Sequence, residues 1–164
     1  MGLFFNPGNK NFEVYRNDSY IDKSEMIRVI NASLGKKDRL SCVSRPRRFG
    51  KTYAAAMLVA YYDKSCDSSA LFGDLAIARD PDYEKHRNQY NVMYLDLTYF
   101  RSQCGKREEL ITYTRKELLN ELCEMYPAFI RMDMSLPKAL ESVVEHDGAQ
   151  YIAVIDEWDA VIRM

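Results

Sequence analysis

No stretch of this sequence is long and apolar enough to cross a bilayer. The longest uncharged apolar run, Tyr53 to Tyr62, is ten residues, against about 20 for a spanning helix. Neither sign of charge is in excess, with 23 Lys and Arg against 24 Asp and Glu over 164 residues. No global field therefore recruits nucleic acid. Cysteine is sparse: Cys42, Cys66, Cys104 and Cys123 lie 24, 38 and 19 residues apart. That spacing gives no pair of zinc ligands, and it predicts reduced thiols in a cytoplasmic protein. Histidine is rarer still. His86 and His146 show no base–nucleophile pattern and read as surface side chains. The start, Met1-Gly2-Leu3-Phe4-Phe5-Asn6, lacks the basic residue and apolar stretch of a secretory leader. Asn6 also stands where myristoylation needs Ser or Thr. Internal repeats and low-complexity tracts are missing.

What remains is an ordinary globular composition, 47% apolar and 29% charged, in a chain the length of one domain. A chain of this mass buries about 70% of its extended surface, so a core is attainable without disulfides or metal. The charge is unevenly placed. Residues 36–51 carry seven bases (Lys36, Lys37, Arg39, Arg45, Arg47, Arg48, Lys51) against one acid, Asp38, while residues 141–159 carry six acids and no Lys or Arg. A basic loop facing an acidic strand end suits phosphates plus a metal; two solvated faces of opposite sign would look the same.

Read for periodicity, residues 1–12 form an irregular N-terminal arm, and Phe12 to Ile21 a short extended segment broken at Asn17-Asp18. Asp22 with Glu25 has the spacing of a capping box opening a helix to about Ser33, with Gly35 as its C-cap. Arg39 to Ser44 reads as a strand, Lys51 to Tyr62 as a buried helix, and Asn91 to Thr98 as a second strand. Lys106 to Met125 is a long helix stopped by Pro127. Leu136, Ala139, Leu140, Val143 and Val144 mark one apolar helical face, ended by Gly148. The run Gln150 to Ile155 suits a strand covered on both sides. Alternating strands and helices predict an α/β fold.

Two segments carry chemistry. Gly50-Lys51-Thr52 is the second half of the phosphate-binding (Walker A) pattern G-x-x-x-x-G-K-[ST], set between the expected strand and the buried helix. Backbone N–H groups at that helix start point at an anion, and the helix dipole adds to the attraction. Lys51 would reach the terminal phosphates, Thr52 would offer its hydroxyl to Mg²⁺, and Gly50 would let the backbone approach. Arg45 replaces the first glycine and Pro46 removes one N–H. Phe49 completes the loop. Arg47 and Arg48 would clamp phosphate oxygens or contact an acidic partner, or stand on a solvated loop.

The second segment is Tyr151-Ile152-Ala153-Val154-Ile155-Asp156-Glu157. An acid just beyond an apolar strand leaves the sheet at its C-terminal edge, where α/β ligands bind. Asp156 suits the Walker B contact to Mg²⁺, and Glu157 is the candidate catalytic residue, polarising a water for attack on the γ-phosphate. Asp96, ending the other strand, is a further candidate for metal or water contact.

With both segments in hand, the chain resembles the AAA-ATPase-like family of bacterial proteins, P-loop ATPase domains often joined to a restriction-endonuclease-like nuclease domain. The resembling stretches are Tyr20-Ile21-Asp22-Lys23-Ser24, Arg45 to Thr52, Leu71-Phe72-Gly73-Asp74-Leu75, Tyr94-Leu95-Asp96-Leu97 and Ile155-Asp156-Glu157-Trp158-Asp159. The RPRRFGK-[ST] form belongs to that family and accounts for the missing first glycine; Trp158 stands where the family usually has Tyr. The resemblance implies an ATP-binding domain with Lys51, Thr52, Asp156 and Glu157 in the roles above. It also implies a sensor strand, an arginine-bearing segment and a nuclease domain beyond the acidic pair, where this sequence has only Trp158 to Met164.

The expectation is therefore one abbreviated domain over residues 1–164. It would be a P-loop NTPase-like parallel sheet flanked by helices, incomplete at its C-terminus, binding ATP and Mg²⁺ with weak or absent hydrolysis. A second chain or an oligomer would complete the sheet. The alternative is a non-catalytic inhibitor or regulator, an ATPase relic that binds a protein or nucleic-acid partner; the basic run favours nucleic acid and the net charge of −1 opposes it.

Overall fold

The computed structural model describes residues 2–18, 20–44 and 49–162. The chain divides into two compact units, one of Gly8–Tyr90 and one that joins the residues up to Pro7 to those from Asn91 onward. No helix among the described residues is long and apolar enough to cross a membrane.

The Gly8–Tyr90 unit is helical: α1 (Lys10–Arg16), α2 (Glu25–Asn31), α3 (Lys51–Tyr62), α4 (Ser69–Phe72), a 3₁₀ turn (Ala76–Arg79) and α5 (Tyr83–His86). α3 runs through its core, burying Met57, Ala60, Tyr61 and Tyr62 completely. Phe72 packs on Tyr61 and stacks on Phe12, with centroids 5.4 and 5.0 Å apart. Two hydroxyls in this apolar interior need partners, since an unpaired buried polar group is costly. Tyr62 donates to Asn31 Oδ1 at 2.7 Å and Tyr61 to the Tyr83 carbonyl at 2.8 Å, tying α3 to α2 and α5. Burial raises both phenols, Tyr61 to about 12. At the end of α3, fully buried Asp63 accepts from the Gly8 and Ser65 N–H groups at 2.6 and 2.8 Å.

Several expectations are corrected in this unit. Phe12 is in a helix, not an extended segment, because its ring is buried between Tyr20 and Phe72. α2 forms, but Ser24 is its N-cap and there is no capping box. Instead Asp22 accepts from the backbone N–H groups of Ser24 and Ala76. Gly35 is left-handed (φ 73°), yet the helix has already ended at Ala32. Arg39–Ser44 is not a strand; all six residues are exposed. His86 is buried, its Nδ1 2.7 Å from the Tyr90 hydroxyl, while His146 is exposed as expected. The stretch 66–90, without clear period, is α4, the 3₁₀ turn and α5.

The other unit carries the sheet: β1 (Asn91–Asp96), α6 (Leu97–Ser102), α7 (Arg107–Met125), α8 (Leu136–Asp147), β2 (Tyr151–Asp156) and a 3₁₀ turn (Trp158–Val161). β1 and β2 are parallel, in register from Asn91↔Tyr151 to Asp96↔Asp156. β1 is shorter than expected, because Asp96 caps α6 by accepting from the Thr98 N–H at 2.8 Å. α8 starts at Ser135, whose hydroxyl accepts from Lys138, and stops at left-handed Gly148. The helices cover the sheet with Phe100, Leu118, Leu122, Ala139 and Val143.

The first residues of the chain complete this unit. Asn6 donates its N–H to the Val92 carbonyl and Tyr94 donates to the Phe4 carbonyl, both at 2.8 Å, an antiparallel bridge along the edge of β1 that β2 does not use. Glu121 of α7 accepts the Phe4 and Phe5 N–H groups at 2.8–3.0 Å. The architecture is a two-stranded parallel sheet flanked by helices, with β2 at its edge among the described residues.

Candidate functional site

The expected site residues fall in both units, and each half is described by itself. In the helical unit, Gly50 is the N-cap of α3 with φ 72° and ψ 34°. That left-handed conformation disfavours any residue with a Cβ, which is the physical reason for glycine here. The first bond within the helix runs from Ala54 N–H to the Gly50 carbonyl, 3.0 Å. The N–H groups of Lys51, Thr52 and Tyr53 precede it and have no partner inside the helix. Gly50 brings no side chain to cap them and the first turn holds no acid, so among the described residues no side chain of the helix start offsets the positive end of the α3 dipole. Lys51 is half-buried and Thr52 exposed. Phe49 is exposed beside them, whereas Arg47 and Arg48 lie outside the described residues.

One neighbour of this turn had no role assigned from the sequence. Lys23 Nζ donates to the Phe49 carbonyl at 2.7 Å. Lys23 belongs to the Tyr20–Ser24 stretch, but nothing in its spacing from Gly50 announces the contact.

In the sheet unit, Asp156 closes β2 and is buried; its Oδ1 accepts the Glu157 N–H at 2.9 Å. Glu157 is left-handed (φ 51°, ψ 38°), a conformation that costs a non-glycine residue about 1 kcal/mol or more and collects at functional positions. Asp96 sits directly across the strand pair from Asp156, so two carboxylates share one sheet end. Asp96 has a structural task as the α6 cap.

Taken singly, the Thr52 hydroxyl in the helical unit and the Asp156 carboxylate in the sheet unit are each a hard oxygen donor of the kind Mg²⁺ takes. The described residues hold no cluster of three or more metal-binding His, Cys, Asp or Glu.

A parallel strand pair packed under helices, with an acid at the end of the edge strand, places the chain among mixed α/β proteins. It belongs to the AAA-ATPase-like family, described as predicted AAA-ATPases, whose family model matches residues 7–164. No curated protein and no solved structure matches it.

Proposed function

We propose that this chain is an ATP- and Mg²⁺-binding P-loop module with weak or absent hydrolysis on its own. The observation that carries the proposal is the start of α3, where left-handed Gly50 delivers Lys51 and Thr52 on a turn of uncapped N–H groups. Family membership supports the nucleotide. In this reading the α3 N–H groups receive the phosphates, Lys51 reaches the terminal ones as a point charge, and Thr52 and Asp156 would hold Mg²⁺. The metal, when bound, would supply neutralising charge for the phosphate oxygens. Glu157 would orient a water, with Arg47 and Arg48 as phosphate contacts.

Calorimetric titration of Mg-ATP into wild type, Lys51→Ala and Glu157→Gln tests this. Lys51→Ala is expected to weaken binding roughly 100-fold, the worth of a charge-assisted contact, while Glu157→Gln binds normally. Equal binding by all three proteins overturns the assignment.

A second reading, a non-catalytic binding module, is favoured by one observation. The segment leading toward the phosphate loop, Arg39–Ser44, is exposed and unpaired as a strand, and so is available to another macromolecule, protein or nucleic acid. No Mg-ATP binding by the wild type, together with a stable complex with a second chain or a nucleic acid, would favour it.

A further inference from the structure

Lys23 sits on a segment fixed at both flanks. Asp22 accepts from the Ala76 N–H at 2.9 Å and buried Ser24 accepts from the Ile77 N–H at 3.1 Å, so the 3₁₀ turn holds its base. Burial works against the Asp22 charge, but the Ala76 and Ser24 N–H groups outweigh it and keep the carboxyl below its usual range. On the other flank the Tyr20 hydroxyl contacts Met57 Sδ of α3 at 3.2 Å. From this post the ammonium meets the Phe49–Gly50 peptide from one side. It bonds the Phe49 carbonyl at 2.7 Å and lies so close over Gly50 that an added Cβ would come 2.7 Å from Nζ.

A trans peptide is planar, with its carbonyl and its N–H pointing in opposite directions. Anchoring the Phe49 oxygen to an ammonium therefore turns the Gly50 N–H away from Lys23. A flip of this peptide would instead aim the carbonyl oxygen at whatever the N–H had faced, and an oxygen there repels an anion. Glycine flips easily, having no Cβ to resist, so a glycine loop that must present N–H groups gains from an outside clamp.

We propose that Lys23 is a positioning residue of the phosphate loop, holding the Phe49–Gly50 peptide in the orientation that presents the Gly50 N–H to a nucleotide phosphate. It acts from outside the cradle, through the loop, and does not touch the nucleotide. The inference rests on the nucleotide reading above. It assigns different work to the two lysines: backbone N–H groups cradle the α- and β-phosphates, whereas the lysine of the motif reaches the β- and γ-phosphates. Loss of Lys23 therefore weakens ATP and ADP alike, and loss of Lys51 weakens ATP more.

The test uses the full chain as wild type, Lys23→Ala, Lys23→Arg and Lys51→Ala. Mg-ATP and Mg-ADP are titrated by calorimetry, and the Gly50 amide resonance is followed without nucleotide. Lys23→Met, which keeps the aliphatic stem, replaces the alanine variant if that variant melts early. The expected result is roughly tenfold weaker binding of both nucleotides in Lys23→Ala, the scale of one lost charged hydrogen bond. The Gly50 amide should shift in the same variant, and Lys23→Arg should restore both. Normal affinity in Lys23→Ala beside lost affinity in Lys51→Ala overturns the clamp and leaves the nucleotide reading standing. A wild type that binds neither nucleotide overturns the nucleotide reading and the clamp with it.

Discussion

Arg39–Ser44 and Tyr151–Asp156 are equal in length, and each leads toward a motif, yet only one is a strand. Tyr151–Asp156 pairs along its whole length with β1 and buries Val154 and Asp156. In Arg39–Ser44, Leu40 is 92% exposed and Val43 43%. The difference is the partner. A strand satisfies its backbone only through a neighbour, whereas a helix closes its own hydrogen bonds. α3 accordingly forms from its first residue even though the segment before its loop is unpaired, and the Gly50–Thr52 turn comes with the helix. The Gly50–Thr52 turn thus depends on α3 and its supports, while the Asp156–Glu157 pair depends on the sheet.

The comparison breaks most sharply at Val154. Val154→Asp places a charge on the buried face of β2 and should cost about 3–4 kcal/mol, seen as a lower urea midpoint; a loss below 1 kcal/mol would mean that β2 is not held as described. Next in size is the support on the other edge of β1. Glu121→Ala leaves the Phe4 and Phe5 N–H groups without their acceptor and should cost about 2 kcal/mol, with faster exchange at those two amides as the local signature.

A smaller effect belongs to the helical unit. Burial first, and then Lys85, hold the His86 imidazole below its ordinary 6.5. The unfolded chain takes up a proton that folded His86 refuses, so this contribution is full above pH 6.5 and is lost as pH falls through that value toward the folded one. Denaturation midpoints should decline over that window in wild type, and the decline should shrink in His86→Gln. An unchanged slope would show that folded His86 titrates no lower than in the unfolded chain. The smallest effect is expected at Leu40, where Leu40→Ser should change stability by no more than about 0.5 kcal/mol. A larger loss would show that Arg39–Ser44 is packed in solution.

Much of the sheet unit was legible along the chain. α8 carries its apolar face at helical spacing between a serine cap and Gly148, and β2 forms from its continuous apolar run. The expectation of cover on both sides is corrected, because Ala153 and Ile155 are exposed and only the face of Val154 and Asp156 is buried. Local signals fail where a distant contact decides. Phe12, Val14 and Tyr15 favour strand, but a pocket between Tyr20 and Phe72 makes Lys10–Arg16 a helix. His86 reads as surface until the fold brings Tyr90 and the tyrosine-rich core around it. The place of Gly50, Lys51 and Thr52 at the start of α3 was legible because a left-handed glycine followed by an apolar helical run marks a helix start. Lys23 was not, since 26 residues separate it from the carbonyl it holds.

In the proposed reading the first turn of α3 receives the phosphates of a nucleotide. Amide hydrogen exchange at Gly50 to Tyr53, with and without Mg-ATP, tests it most directly. Exchange at these amides should slow when Mg-ATP is added to wild type and stay unchanged in Lys51→Ala. Unchanged exchange in wild type at saturating nucleotide would contradict it.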